Sequence, residues 1–147
     1  MTNKMTSRTS FLSIAAATAA HSGNYTCIAK NIAGSTNHST VLNVHVTPNI
    51  LPFDVDQALF SGESVQMMCH ISKGDVPLEI NWEFNGHLMS HELGTFSKVG
   101  ERSSVLVLPS VTGAHSGNYT CIAKNRAGVT SYTTVLKIIG TYNMLLG

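Results

Sequence analysis

Seven consecutive residues occur twice in this chain, as His21-Ser22-Gly23-Asn24-Tyr25-Thr26-Cys27 and as His115-Ser116-Gly117-Asn118-Tyr119-Thr120-Cys121, at an offset of 94. Between residues 8 and 44 the two copies agree at 22 of 37 positions without a gap. Self-similarity at one fixed period identifies a repeat array and limits the fold to one unit used more than once. Each copy also begins an alternating run. With a side-chain period of two, Tyr119, Cys121 and Ala123 face one way, and Asn118, Thr120 and Ile122 the other. A tyrosine on the inward side buries its ring and returns its hydroxyl to nearby backbone.

The chain has 147 residues, enough for one sandwich of about 100 residues and a remainder, but not for two. Charged residues make up only 12%, and Val, Ile, Thr and Ser are frequent, as suits half-buried strands. An all-β protein is expected. The formal charge is +1 with no basic stripe, which argues against nucleic acid and against an anionic membrane surface as partners.

Taken in order, residues 1–20 imitate a secretory signal, with Lys4 and Arg8 before an apolar stretch and an alanine run. The repeat overrides that reading, because residues 8–14 align with 102–108 and continue without a gap into the shared heptapeptide. Residues 1–46 are therefore expected to be a truncated domain holding only the last three strands, E, F and G. Gly34 supplies its F–G hairpin with a backbone free to take positive φ. Thr47-Pro48 ends that ladder, since proline removes a donor.

Residues 48–139 are expected to form a complete domain, and 140–147 an unstructured tail too short to span a bilayer. Its first strand is irregular around Pro52. Strand B (64–71) places Val65, Met67, Cys69 and Ile71 inward, and Gln66, Met68 and His70 outward. Strand C (78–84) alternates equally well, with Leu78, Ile80, Trp82 and Phe84 on one face. Asn85-Gly86 is a hairpin dipeptide. Residues 87–101 are poorly patterned and are assigned to a short C′ or D segment. Strand E (103–109) sends Leu106 and Leu108 to the core, followed by Val111, and strand G sends Thr134, Leu136 and Ile138.

Cys69, Trp82, Leu106, Tyr119 and Cys121, in that order, resemble the intermediate-set immunoglobulin family, over 48–139 fully and 8–46 in part. The resemblance implies a two-sheet Greek-key sandwich with Tyr119 as the tyrosine corner and a Cys69–Cys121 bridge between the sheets. By the repeat arithmetic, the partner of Cys27 would precede residue 1, so Cys27 is expected to be an unpaired thiol and the chain a piece of a longer one. More narrowly, residues 72–82, reading SKGDVPLEINW, and Ile50-Leu51-Pro52-Phe53 are similar to the alternatively spliced immunoglobulin domains of arthropod Down syndrome cell adhesion molecules. That similarity implies a secreted or cell-surface receptor that binds identical isoforms on other cells, in neuronal wiring or immune recognition. Many members of the family carry Asp at the positions of His21 and His115, which puts their usual ionic tie to an arginine in doubt. No fibronectin, transmembrane or cytoplasmic segment is visible, so any membrane link would run through segments outside this chain.

Chemistry is sparse. His87 and His91 lack the companion ligands of a metal site, and Asp54, Asp56 and Asp75 are isolated in turns. Neither a catalytic site, a metal, a cofactor nor a small-molecule substrate is expected. Three N-x-[ST] sequons, at Asn24, Asn37 and Asn118, are usable if exposed in a secretory compartment.

Met68 on strand B and Val105 and Val107 on the neighbouring strand E point outward where water alone would favour polar residues. Together they are expected to form an exposed patch for homophilic binding. The upstream copy replaces the two valines by Phe11 and Ser13. A bridged sandwich implies an oxidising compartment, and adhesion through identical copies is the leading reading. Two alternatives remain at this stage, a soluble immune receptor for microbial ligands and a cytosolic muscle-type array with reduced thiols.

Overall fold

The computed structural model describes residues 1–55 and 57–140. The expected tail beyond Gly140 and the isolated Asp56 lie outside the described residues. The chain divides into two compact units, Met1–Val46 and Thr47–Gly147.

The first unit consists of two antiparallel hairpins. Strands β1 (Thr2–Thr6) and β2 (Thr9–Leu12) form one, and β3 (Gly23–Asn31) and β4 (Gly34–Leu42) the other. The expectation of strands E, F and G alone in residues 1–46 is corrected by β1, which pairs with β2 in the manner of a strand D. Its Thr, Asn and Lys side chains carry no apolar alternation; the strand exists because β2 offers backbone groups that must be paired. Gly34 opens β4 at a φ of +152°.

The described residues of the second unit form ten strands: β5 (Asn49–Ile50), β6 (Leu59–Phe60), β7 (Val65–Lys73), β8 (Glu79–Phe84), β9 (His87–Leu88), β10 (Thr95–Val99), β11 (Ser103–Leu108), β12 (Gly117–Asn125), β13 (Gly128–Leu136) and β14 (Ile138–Ile139). One sheet runs β10-β11-β7-β5, the other β13-β12-β8-β9, and β14 pairs with β6 in parallel. This is the two-layer arrangement of a D-E-B-A sheet facing a G-F-C-C′ sheet. The poorly patterned stretch 87–101 resolves into β9 and β10 at the two sheet edges. Asn85 and Gly86 both have positive φ, 51° and 83°, which matches the twist of a two-residue hairpin between β8 and β9.

Between the layers, β7 alternates buried and exposed along Val65, Gln66, Met67, Met68 and Cys69, as its pattern requires. Cys69, Ile71, Leu106, Leu108, Val111, Tyr119, Cys121 and Ala123 have no accessible surface. Cys69 and Cys121 are disulfide-bonded across the layers, with Cα atoms 6.4 Å apart and 52 residues of separation. Closing a loop of that size contributes about 4 kcal/mol in the chain-entropy account. Trp82 lies opposite Cys121 in the β12–β8 register and is 1% exposed. Its ring meets Phe53 edge-on at 5.5 Å, and Phe53 in turn lies 5.1 Å from Tyr132.

Candidate recognition surface

The core signature fixes the two outer faces of the sandwich. Trp82 Nε1 donates to Ser104 Oγ at 2.9 Å, and Ser104 Oγ donates onward to Ser97 O, so the indole N–H is satisfied inside the sandwich. Ser104 was not singled out from the sequence. The available signal was a polar residue at an inward position of a strand beside the layer that holds the chain's single tryptophan. Tyr119 donates its hydroxyl to His115 O at 2.6 Å and packs on Phe84 at 4.9 Å. Burial pushes the Tyr119 hydroxyl well above its ordinary pKa, because the phenolate would be desolvated.

His115 occupies the position at which an acid was expected from the family pattern, and it does a different job. Its Nε2 donates to Leu93 O at 3.0 Å, while Nδ1 accepts from the Thr112 amide at 2.9 Å, an arrangement that requires the neutral Nε2–H tautomer. It thus closes a capping box on the single turn Gly113–His115. Arg102 donates to Ile71 O and Gly74 O.

The outer face of the β10-β11-β7 sheet is arranged in cross-strand rows: Thr95, Val107 and Gln66; then Ser97, Val105 and Met68; then Val99, Ser103 and His70. Directly opposed residues share a face, so an apolar band crosses three strands through Val105, which lies opposite Met68, two residues along β11 from Val107 and diagonal to Val99. Met68 is 50% and Val99 51% exposed, and Val107 is half-buried. Val105 corrects the expectation of an exposed patch, since only 9% of its surface is accessible. Strand alternation places it on the outer face, but it sits mid-sheet between Met68 and Ser97, and neighbours on both sides cover a short β-branched side chain. Val99, on the edge strand β10 and diagonal to Val105, extends the band with an exposed side chain. At the end of the band His70 Nδ1 lies 2.7 Å from Ser103 Oγ.

The opposite outer face, on β13-β12-β8, is more polar. Glu79, Asn81 and Glu83 of β8 share registers with Lys124, Ile122 and Thr120 of β12. Asn118 is exposed on this face, and the Thr120 hydroxyl of its sequon lies 2.7 Å from Thr133 Oγ1. In the first unit Asn24 and Asn37 are exposed on one face of the β3–β4 hairpin. Their sequon hydroxyls, Thr26 Oγ1 and Ser39 Oγ, lie 2.7 Å apart. Cys27 is exposed and unbonded. Among the described residues no group of three or more His, Cys, Asp or Glu side chains is placed to hold a metal ion. No described helix is long and apolar enough to cross a membrane.

Residues 47–125 match the family model described as immunoglobulin domain, and residues 1–44 match the one described as immunoglobulin I-set domain. The chain belongs to the immunoglobulin superfamily. It is 39% identical over 119 residues to the Drosophila melanogaster cell adhesion molecule Dscam2, an alignment covering 80% of this chain and 6% of that protein. Among solved structures it is similar to the N-terminal eight immunoglobulin domains of a Down syndrome cell adhesion molecule isoform, with a TM-score of 0.71 and 39% identity, over 82% of this chain and 16% of that one. A three-domain I-band fragment of titin also superimposes, with a TM-score of 0.65 and 28% identity, over 84% of this chain and 44% of the fragment. The immunoglobulin domains here thus resemble those of Dscam cell adhesion molecules, and the chain spans a small part of their length.

Proposed function

We propose that this chain is part of an extracellular recognition protein, and that its second unit binds another copy of itself in homophilic cell–cell adhesion of the kind that sorts neuronal contacts. The observation that carries this reading is the apolar band of Met68, Val99 and Val107 around Val105 on the outer face of the β10-β11-β7 sheet. Isolated apolar surface residues need no explanation, but a contiguous set crossing three strands marks an interface more often than a solvated wall. A two-fold contact would lay each band across its own copy, with the nearly buried Val105 at its centre. The bonded Cys69–Cys121 pair supports an oxidising compartment over a reduced cytosolic array. The exposed Asn118 on the other outer face would direct a glycan away from the band. No catalytic role is proposed.

The test is a bead-aggregation assay with Met68→Asp and Val99→Asp combined, both at positions exposed enough to take a carboxylate. Self-binding should be lost while thermal unfolding stays nearly unchanged. Val135→Asp, at a 64% exposed site on β13, should leave aggregation intact. Undiminished aggregation of the folded double variant would exclude this face.

A further inference from the structure

The outer face that holds the apolar band carries no fixed charge. Its cross-strand rows, Thr95, Val107 and Gln66, then Ser97, Val105 and Met68, then Val99, Ser103 and His70, contain no carboxylate, ammonium or guanidinium. His70 is the one member of those rows that titrates. On its far side the face stays neutral: Ser72 accepts from Asn49 Nδ2 at 2.8 Å, and Leu51, 46% exposed, donates its amide to His70 O at 3.0 Å.

The charged neighbours of His70 along its own strand and the adjoining elements lie at the end of the sheet. Arg102 turns its guanidinium to Ile71 O and Gly74 O, Lys73 is exposed at the last position of β7, and Glu101 is exposed in the turn before β11. Lys98 of β10 is paired with the inward Ser104 and donates to Leu78 O at 2.7 Å. His70 itself is half-buried, and its Nδ1 lies 2.7 Å from Ser103 Oγ, a neutral partner that gives an imidazolium no countercharge.

A face without fixed charge can meet its own copy without like-charge repulsion. The same symmetry makes such a contact intolerant of a new charge. In a two-fold contact the second copy offers the same rows, so an imidazolium is taken out of water against side chains that include no carboxylate. Histidine takes up its proton between about pH 8 and 5. We infer that His70 makes the self-contact sensitive to pH: the bands associate while both copies hold a neutral imidazole and separate as the imidazoles are protonated. This control presupposes the homophilic contact proposed above and adds its regulation. A histidine one pH unit below the ordinary value of about 6.5 is neutral about a tenth of the time. A contact that requires the neutral form then weakens about tenfold for each copy, or about a hundredfold for a dimer. The sign is diagnostic, because a partner with an acidic face would bind more tightly as the pH falls.

The test uses the full chain with the exposed thiol of Cys27 capped by iodoacetamide, so that no disulfide-linked dimers form. Sedimentation equilibrium between pH 7.5 and 5.5 measures self-association, and near-ultraviolet circular dichroism at each pH reports that the second unit stays folded. Association should weaken about a hundredfold over that range. His70→Gln keeps an uncharged hydrogen-bonding group beside Ser103, and His70→Met removes the charge with an apolar side chain like that of Met68. At least one of them should associate at pH 7.5 as the native chain does and remain nearly unchanged at pH 5.5. Both variants retain every other histidine, His115 included, so a looser fold at low pH would weaken them as much as the native chain. Native association that is flat with pH, tighter native association at pH 5.5, variants that weaken as the native chain does, or failure of both variants to associate at pH 7.5 would each overturn the inference and leave the homophilic reading standing. Absence of native self-association at pH 7.5 would overturn both.

Discussion

The two tyrosine-corner hairpins, β3–β4 and β12–β13, share a register, a capping box and a 2.6 Å tyrosine hydrogen bond, yet one lines a core and the other lies open. Their local geometry is written into nine-residue strands and one turn, so both copies adopt it. Burial is a property of the partner layer. The difference separates what hydrogen bonding and turn chemistry specify within about thirty residues of chain from what only a second sheet supplies, the hydrophobic term that dominates stability.

Paired substitutions at equivalent positions should break the resemblance between the copies in a graded way. The largest effect is expected from the cysteines. Replacing Cys69 and Cys121 together by Ala should cost the second unit about 4 kcal/mol, whereas Cys27→Ala should change the first by no more than about 0.5 kcal/mol. Trp82 is the chain's only tryptophan, so denaturant titration followed by its fluorescence reports the second unit alone, while hydrogen exchange of β3 and β4 reports the first. Equal sensitivity of both units would mean that the open face is already covered in solution.

A smaller contrast is expected from leucine. Leu106→Ala should destabilise its unit by about 2–5 kcal/mol, through lost transfer energy and a cavity. Leu12→Ala, at a half-exposed site, should cost less than about 1 kcal/mol. The same two measurements decide it, and a large Leu12 effect would remove the distinction.

The tyrosines should give the smallest difference and add a pH signature. Tyr119→Phe should cost about 1 kcal/mol, the net value of one hydrogen bond, and Tyr25→Phe less, because water can replace its partner. Burial raises the pKa of Tyr119 in the folded state, so its contribution is fully present below the ordinary tyrosine value of about 10. Above that pH the unfolded chain loses a proton that the folded one keeps. Stability should then fall by up to about 1.4 kcal/mol per pH unit, and Tyr119→Phe should flatten that slope in alkaline melts.

How much of this was readable beforehand varies with the kind of information each residue carries. The alternation on β7 and β8 gave inward and outward sides correctly, because residues such as Met67 and Trp82 are chosen for the side they face. β1 and β10 were illegible or vague, since Thr2, Asn3, Ser97 and Lys98 are held by backbone pairing to a neighbouring strand and show no apolar period. Val105 illustrates a different gap. Alternation assigns it to the outer face, but whether water reaches it depends on Met68 and Ser97 alongside, which sequence spacing does not measure. The substitution of His for an acid at 115 is visible in the sequence, whereas its role in joining Thr112 to Leu93 O depends on a loop 22 residues away folding against it.

Were the sequons at Asn24, Asn37 and Asn118 used, the cross-strand hydroxyl pairs Thr120–Thr133 and Thr26–Ser39 would make glycosylation a matter of timing. In a chain threaded into a secretory compartment, an oligosaccharide transferase must reach each sequon before its hydroxyl is tied across the hairpin. Thr26 and Thr120 are each made 13 residues ahead of their partners, a lead of about 1–3 s at ordinary synthesis rates of roughly 5–20 residues per second. Ser39 emerges with Thr26 already waiting, and a hairpin closes in about 1–10 μs. Asn24 and Asn118 therefore have an open window, while Asn37 enters a closing one, and slowing translation should raise occupancy at the first two sites more than at the third.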